Sequence, residues 1–482
     1  MRERASSRGL ALLASALLAL AGCSTLIPPY ERPAPPVPAT YAAEMTPAAS
    51  PGSEAVADID WQRFFADQRL KQLIALALAN NRDLRVAVLN IEQTRALYDI
   101  RRADQLPTVG VGATVARQPV GSGVATSYAV GFAVTSYELD LFGHVHDLSE
   151  AALAQYFATA ENRKAVQISL VASVANAYLN LLADDELLRV TRQTLATREE
   201  STRLTKLRFD NGASSELDFR QAESLLEGAR VALAQSLRQR ALDENALQLL
   251  VGQALPADLA APLPLDQQQI PGDLPAGLPS DLLIRRPDVR AAEQQLLSAN
   301  ANIGAARAAF FPRISLTANL GSASSELSGL FKSGSFAFTG TAQLLQPIFD
   351  AGRNRANLDV ARVNRDIAVA QYERSIQTAF REVSDALAGR ATLGEQLRAQ
   401  AAQTNALAIT YRLADLRYRA GAASYLDTLD AQRSLFIAQQ ALVQTQALQL
   451  QNLVTLYRVL GGGWREASEV TAASNPTVPP PR

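Results

Sequence analysis

The chain has 482 residues, 46 of them Lys or Arg and 47 Asp or Glu, for a formal net charge of −1. So even a balance gives no support to nucleic-acid binding, which asks for a basic face. The single cysteine, Cys23, rules out an internal disulfide framework. With no P-loop, GxSxG elbow, HExxH helix or CxxC pair present, the chain reads as a non-enzyme that needs no cofactor.

Residues 1–22 read as an export signal. Arg2, Arg4 and Arg8 precede an apolar stretch from Leu10 to Leu20 that is too short to span a bilayer. Leu20-Ala21-Gly22-Cys23 matches the bacterial lipobox, so Cys23 is expected to carry diacylglycerol. A free thiol or an intermolecular disulfide is the alternative, and the position directly after Leu-Ala-Gly favours the lipid. Ser24 in place of Asp, as in outer-membrane lipoproteins, favours delivery to the outer membrane. Beyond the signal no run of about 18 uninterrupted apolar residues occurs, so any membrane crossing is left to strands.

Residues 23–60 form a Pro- and Ala-rich tether, with Pro28-Pro29 and Pro33 through Pro38. A first repeat, 61–252, begins with a helical pattern that runs from Trp61, through Leu70, Leu73, Ile74 and Leu78, to just before Leu106-Pro107. Val109, Val111, Ala113 and Val115 then alternate with small or polar residues, which is the period of a two-faced strand. After the turn Gly121-Ser122-Gly123 a second strand carries Tyr128, Val130, Phe132 and Val134 on one face. From Gly143 the pattern turns helical for the 69 residues to Gly212, roughly 100 Å at 1.5 Å per residue. Gly212 ends that helix, and Ser214 or Ser215 starts a return helix.

A Pro-rich linker, 253–286, leads to a second repeat, 287–461. It has a helix stopping at Phe311-Pro312, a strand through Ile314, Leu316, Ala318 and Leu320, a turn from Gly321 through Gly334, and a second strand from Phe336. A second long helix from Gly352 then turns at Gly421. Residues 462–482 read as a disordered tail. Arg208-Phe209-Asp210-Asn211-Gly212 returns as Arg417-Tyr418-Arg419-Ala420-Gly421, and the same offset of 209 carries Gly143 to Gly352 and Gly252 to Gly461. Pro107 and Pro312 are instead 205 apart, so insertions and deletions fall in the strands. The chain is a duplicated unit.

Four strands cannot close a barrel, and an open edge in lipid leaves backbone groups unsatisfied at several kcal/mol each. Two copies would give eight strands and a lumen filled by side chains, whereas three give twelve and an aqueous passage. A homotrimer is the economical solution. A lipid-anchored helical scaffold without a pore is the competing class, and strand alternation argues against it.

The chain resembles the TolC-like outer-membrane factors, in particular the OprM/NodT-type lipoproteins of RND efflux. The resemblance rests on the lipobox, Trp61-x-x-Phe64, Asp67-x-x-Leu70, Arg285-Arg286-Pro287-Asp288, Phe311-Pro312, Gln346-Pro347-Ile348-Phe349-x-x-Gly352 and the paired Arg-aromatic-x-x-Gly tips. It covers nearly all of the mature chain. It implies a mixed α+β membrane protein: a homotrimer with four strands per chain in a shared twelve-stranded barrel, on a long α-helical periplasmic cylinder. It also implies docking to a periplasmic adaptor and an inner-membrane RND pump, with the channel passive and in contact with outer-membrane lipid. The exit duct of type I protein secretion shares this fold, but the lipobox and Arg-Arg-Pro-Asp favour efflux.

By the same resemblance, Leu426-Asp427-Thr428-Leu429-Asp430-Ala431 matches the segment that forms the family's periplasmic constriction, which makes Asp427 and Asp430 candidate gate residues. Three apart, they share a helix face, and threefold symmetry would turn them into rings of carboxylates that attract cations and respond to pH or divalent ions. The plainer reading is a pair of first-turn aspartates favoured by the helix dipole. Gln221 stands opposite Asp430 in the first repeat, so the gate is expected to be asymmetric, and Ala423 sits where a basic partner can occur. Gly212, Leu217, Gly421 and Leu426 are either adaptor contacts or simple turn residues. His144 and His146 would share a face if they lay on a strand but lack a third metal ligand, and Asp184-Asp185-Glu186 reads as a solvated helix face.

Overall fold

The computed structural model describes residues 25–42, 55–272, 274–275 and 278–464; the export signal, Cys23 and the tail from 465 lie outside the described residues. The helical pattern after Trp61 is three helices, α1 (Trp61–Phe64), α2 (Gln68–Asn80) and α3 (Arg82–Ala103), rather than one. Side-chain acceptors cause the breaks. Asp60 caps α1 and Asp67 caps α2, while Asn81 accepts from the Leu84 amide at 2.9 Å and donates to the Leu250 carbonyl at 2.9 Å.

The sheet follows as β1 (Val109–Val120), β2 (Gly123–Leu139), β3 (Arg313–Ser324) and β4 (Phe336–Leu345), antiparallel and in sequence order. β3 runs past Gly321 to Ser324, so that glycine lies in the ladder and not in the expected turn. The reason is close approach: Gly131 pairs with Gly321, and a Cβ on either would strike the backbone of the other strand. On the side where those missing side chains would point, the sheet folds on itself into a trough whose lining includes Gly112, Thr114, Gly131, Asn319, Gly321 and Thr339. The opposite side bears Val111, Phe132, Leu320 and Phe338 in register. Among the described residues β1 and β4 each keep an unpaired edge.

A bulge between Val134 and Tyr137, with Ser136 at φ 58, interrupts β2. It changes the parity of the strand. Even-numbered residues face the apolar side before it, whereas Tyr137 and Leu139 face that side after it, which leaves Glu138 on the trough side.

The long helices repeat closely. α4 (His144–Asp210) and α8 (Arg353–Arg419) have 67 residues each, and their return partners α5 (Glu216–Val251) and α9 (Tyr425–Val459) have 36 and 35. The second repeat opens with α6 (Leu282–Arg285) and α7 (Pro287–Ala308). Among the described residues α4 alone is long and apolar enough by composition to cross a bilayer, but 61% of its most apolar window is buried inside the protein, as in a core helix.

The described residues fall into two compact units, one within 25–34, 89–161 and 291–374, the other within 35–88, 162–290 and 375–464. In the first, the chain after Thr25 is strapped along one face of α7. Arg307 donates to the Leu26 carbonyl, Asn300 to that of Pro28, and Glu293 accepts from Tyr30 and Arg32. Thr25 donates at 2.6 Å to the fully buried Asp147. In the second, Trp61, Phe64 and Phe65 are buried, and Phe64 stacks on Tyr457 at 3.9 Å between ring centres. Arg286 is buried there with Asp288 at 2.6 Å, Glu382 at 2.8 Å and the Val459 carbonyl at 3.2 Å. The Arg-Arg-Pro-Asp motif is therefore a structural clamp, since a buried guanidinium must be paired.

Candidate functional site

The two hairpin tips are built the same way. Where α4 ends, the Gly212 amide donates to the Phe209 carbonyl at 2.9 Å and the Ala213 amide to that of Arg208 at 2.7 Å; Gly421 and Ala422 repeat these bonds to Tyr418 and Arg417 at 2.9 and 2.8 Å. These are Schellman closures, which need left-handed backbone at the glycine, and Gly212 and Gly421 sit at φ 70 and 73. Their turn role is thereby accounted for. Next come matched capping boxes. Ser215 Oγ accepts from the Asp218 amide while Asp218 accepts from the Ser215 amide, and Ser424 and Asp427 do the same.

Asp427 therefore starts a helix as well as standing in the candidate gate. Asp427 and Asp430 do line one cavity, of about 630 Å³, together with Arg417 and Leu426. Asp430 also borders a second cavity with Gln221, Leu426, Leu429 and Arg433, so the two positions that differ between the repeats meet across it. The carboxylate of Asp430 pairs with Arg433, one helical turn on. Sequence reasoning passed over Arg433 by looking for a basic partner at 423, although a cation three residues after an aspartate on one helix is a legible signal. Leu217 and Leu426 are both exposed. The tips also hold one another: Arg208 donates to the Tyr418 hydroxyl at 2.7 Å, Ser201 and Tyr425 share a 2.6 Å hydrogen bond, and Tyr425, Leu429 and Ala222 form a small buried cluster.

One sequence reading changes. Asp184 is not a solvated residue but a buried one, lying against Asp243 of α5. Burial, then the hydrogen bond and the charge of Asp243, push its carboxyl up to about 7. Asp185 is exposed and Glu186 half-buried, paired with Arg240 and Arg189. His144 and His146 open α4, where residues two apart point to different sides. His144 Nδ1 stands 3.3 Å from Glu138 and His146 Nδ1 3.2 Å from Asp147. Among the described residues no cluster of three or more His, Cys, Asp or Glu could hold a metal.

A four-stranded open sheet, apolar on one side, attached to duplicated helical hairpins defines an outer-membrane channel of the TolC-like fold, with four strands per chain. The family model described as "Outer membrane efflux protein" matches residues 73–253 and 278–462, and the chain belongs to that family. It is 49% identical over 471 residues to the "Probable efflux pump outer membrane protein TtgC" of Pseudomonas putida, covering 95% of this chain and 96% of that one. It is 46% identical over 462 residues to "Outer membrane protein OprJ" of Pseudomonas aeruginosa, at 93% and 95% coverage. Among solved structures, the open state of the MtrE outer membrane channel of Neisseria gonorrhoeae superposes with a TM-score of 0.85 at 43% identity, covering 92% of this chain and 99% of that one. The chain is accordingly an outer-membrane efflux component.

Proposed function

We propose that three copies of this chain close a twelve-stranded barrel and serve as the passive, non-enzymatic exit duct of a tripartite RND-type efflux system. The observation that carries this reading is the four-stranded sheet with a free edge on each side and one apolar face, which is stable in lipid only when further copies pair those edges. A periplasmic adaptor and an inner-membrane RND pump feed the duct, and lipid on Cys23 tethers it to the outer membrane. The cargo is small and toxic; relatives carry the names "Antibiotic efflux pump outer membrane protein ArpC" and "Toluene efflux pump outer membrane protein TtgC".

In this reading Asp427 and Asp430 form the periplasmic gate. Threefold symmetry would turn each into a ring, and Arg433 pairs with Asp430 along the same helix. Leu217 and Leu426 offer exposed apolar side chains to the adaptor. Single-channel recording in planar bilayers tests the gate: Asp427→Ala with Asp430→Ala is expected to raise conductance and weaken block by divalent cations. Wild-type currents from that variant would remove both residues from the gate.

A further inference from the structure

The trough side of the sheet is almost free of charge. Along all four strands the residues of that parity are Gly, Ala, Ser, Thr, Asn or Gln, with Val120 and Leu345 at strand ends, and the only two exceptions are Glu138 and Arg313. These two meet. Arg313 Nε donates to Glu138 Oε2 at 2.6 Å, and a second guanidinium nitrogen touches the same oxygen. Glu138 reaches this side only because the bulge before Tyr137 reverses the parity of β2. It is well enclosed, at 15% side-chain exposure, whereas Arg313 is 61% exposed. The pair borders a cavity of about 210 Å³ that His144 and Asp140 also line, and Asp140 is engaged by the His146 amide at 2.6 Å.

The trough is the concave side, so when the sheet curls into a barrel it faces the lumen. We propose that the Glu138–Arg313 ion pair keeps the membrane-spanning wall of the duct electrically neutral, so that this stretch passes solutes without regard to their charge. The inference rests on the duct reading above. Three copies of the pair form a ring at the end of the strands nearest the long helices. Each carboxylate cancels one guanidinium, and the wall beyond offers only hydroxyls, amides and small side chains. Removing one partner leaves three uncompensated charges of one sign around the lumen, which is how charged rings confer selectivity.

The test is the potassium-to-chloride permeability ratio of the reconstituted trimer, read from reversal potentials under a salt gradient. Glu138→Gln is expected to move the ratio toward chloride and Arg313→Gln toward potassium, each by roughly threefold or more, while the double variant returns to the wild-type value. Should either single variant fail to assemble, Asn319→Asp, on the same wall in mid-strand, is expected to favour potassium, and Thr339→Asp to do likewise. Normal conductance with an unchanged ratio in every variant overturns the inference and leaves the duct standing. A double variant as shifted as either single one overturns the cancellation. Absence of conductance in the wild-type trimer overturns both readings.

Discussion

The two repeats are near copies at the turns of their helical hairpins and differ at particular side chains of the interior and of the candidate gate. Gly212 and Gly421 close the same Schellman motif, and Ser215–Asp218 and Ser424–Asp427 form the same capping box. Yet Gln221 and Ser224 in the first repeat stand where Asp430 and Arg433 form an ion pair in the second. Farther from the tips, the buried Asp184 and its partner Asp243 correspond at the same offset to the buried Leu393 and to Asn452, whose amide donates to the Ala386 carbonyl at 3.0 Å. The lesson is physical. A turn with positive φ admits few residues, so both copies keep it, while a helix surface accepts any side chain that its partner satisfies.

The strongest test of this contrast lies at the ends of the return helices. Gly252 has φ 78, and a Cβ there would sit 2.5 Å from the Asn80 carbonyl oxygen; at Gly461, with φ 86, the nearest atom is the Arg285 carbonyl oxygen at 3.1 Å. Gly252→Ala is expected to cost about 2–4 kcal/mol and Gly461→Ala about 1–2, measured as loss of unfolding temperature of the detergent-solubilised protein. Equal losses would show that strain alone acts and that the tighter fit at Asn80 does not matter.

A smaller effect separates the interiors. Folding raises the Asp184 carboxyl to about 7 from an ordinary value of 3.8, so its contribution is fully present below about pH 4 and is lost as the pH climbs to about 7. The loss should be about 1–2 kcal/mol once screening by solvent is allowed for. Asp184→Leu with Asp243→Asn, copying the second repeat, should flatten the dependence of unfolding temperature on pH between 4 and 7. A slope unchanged in that variant would refute the raised Asp184 carboxyl. Smallest is the cap comparison: Ser215→Ala and Ser424→Ala should each cost about 1 kcal/mol, and a clear inequality would break the equivalence of the tips.

Much of this was legible in one dimension. The paired prolines, the glycines that start and end the long helices and the alternation around Val111 and Phe132 all report local backbone preference, and the elements lie where those signals put them. Family resemblance pointed to Asp427 and Asp430, and the fold brings them to one cavity. Asp184 was misread because a carboxylate amid charged neighbours looks solvated along the chain, and only the facing helix reveals Asp243.

The amino-acid sequence by itself determined the duplication, the four strands and the hairpin tips, because each is written in contiguous residues with a characteristic pattern. Tertiary structure alone decided which side of the sheet is concave, where the β2 bulge reverses parity, and that Glu138 meets Arg313, 175 positions along the chain. Those outcomes depend on how distant strands pack against one another, and no local period encodes that.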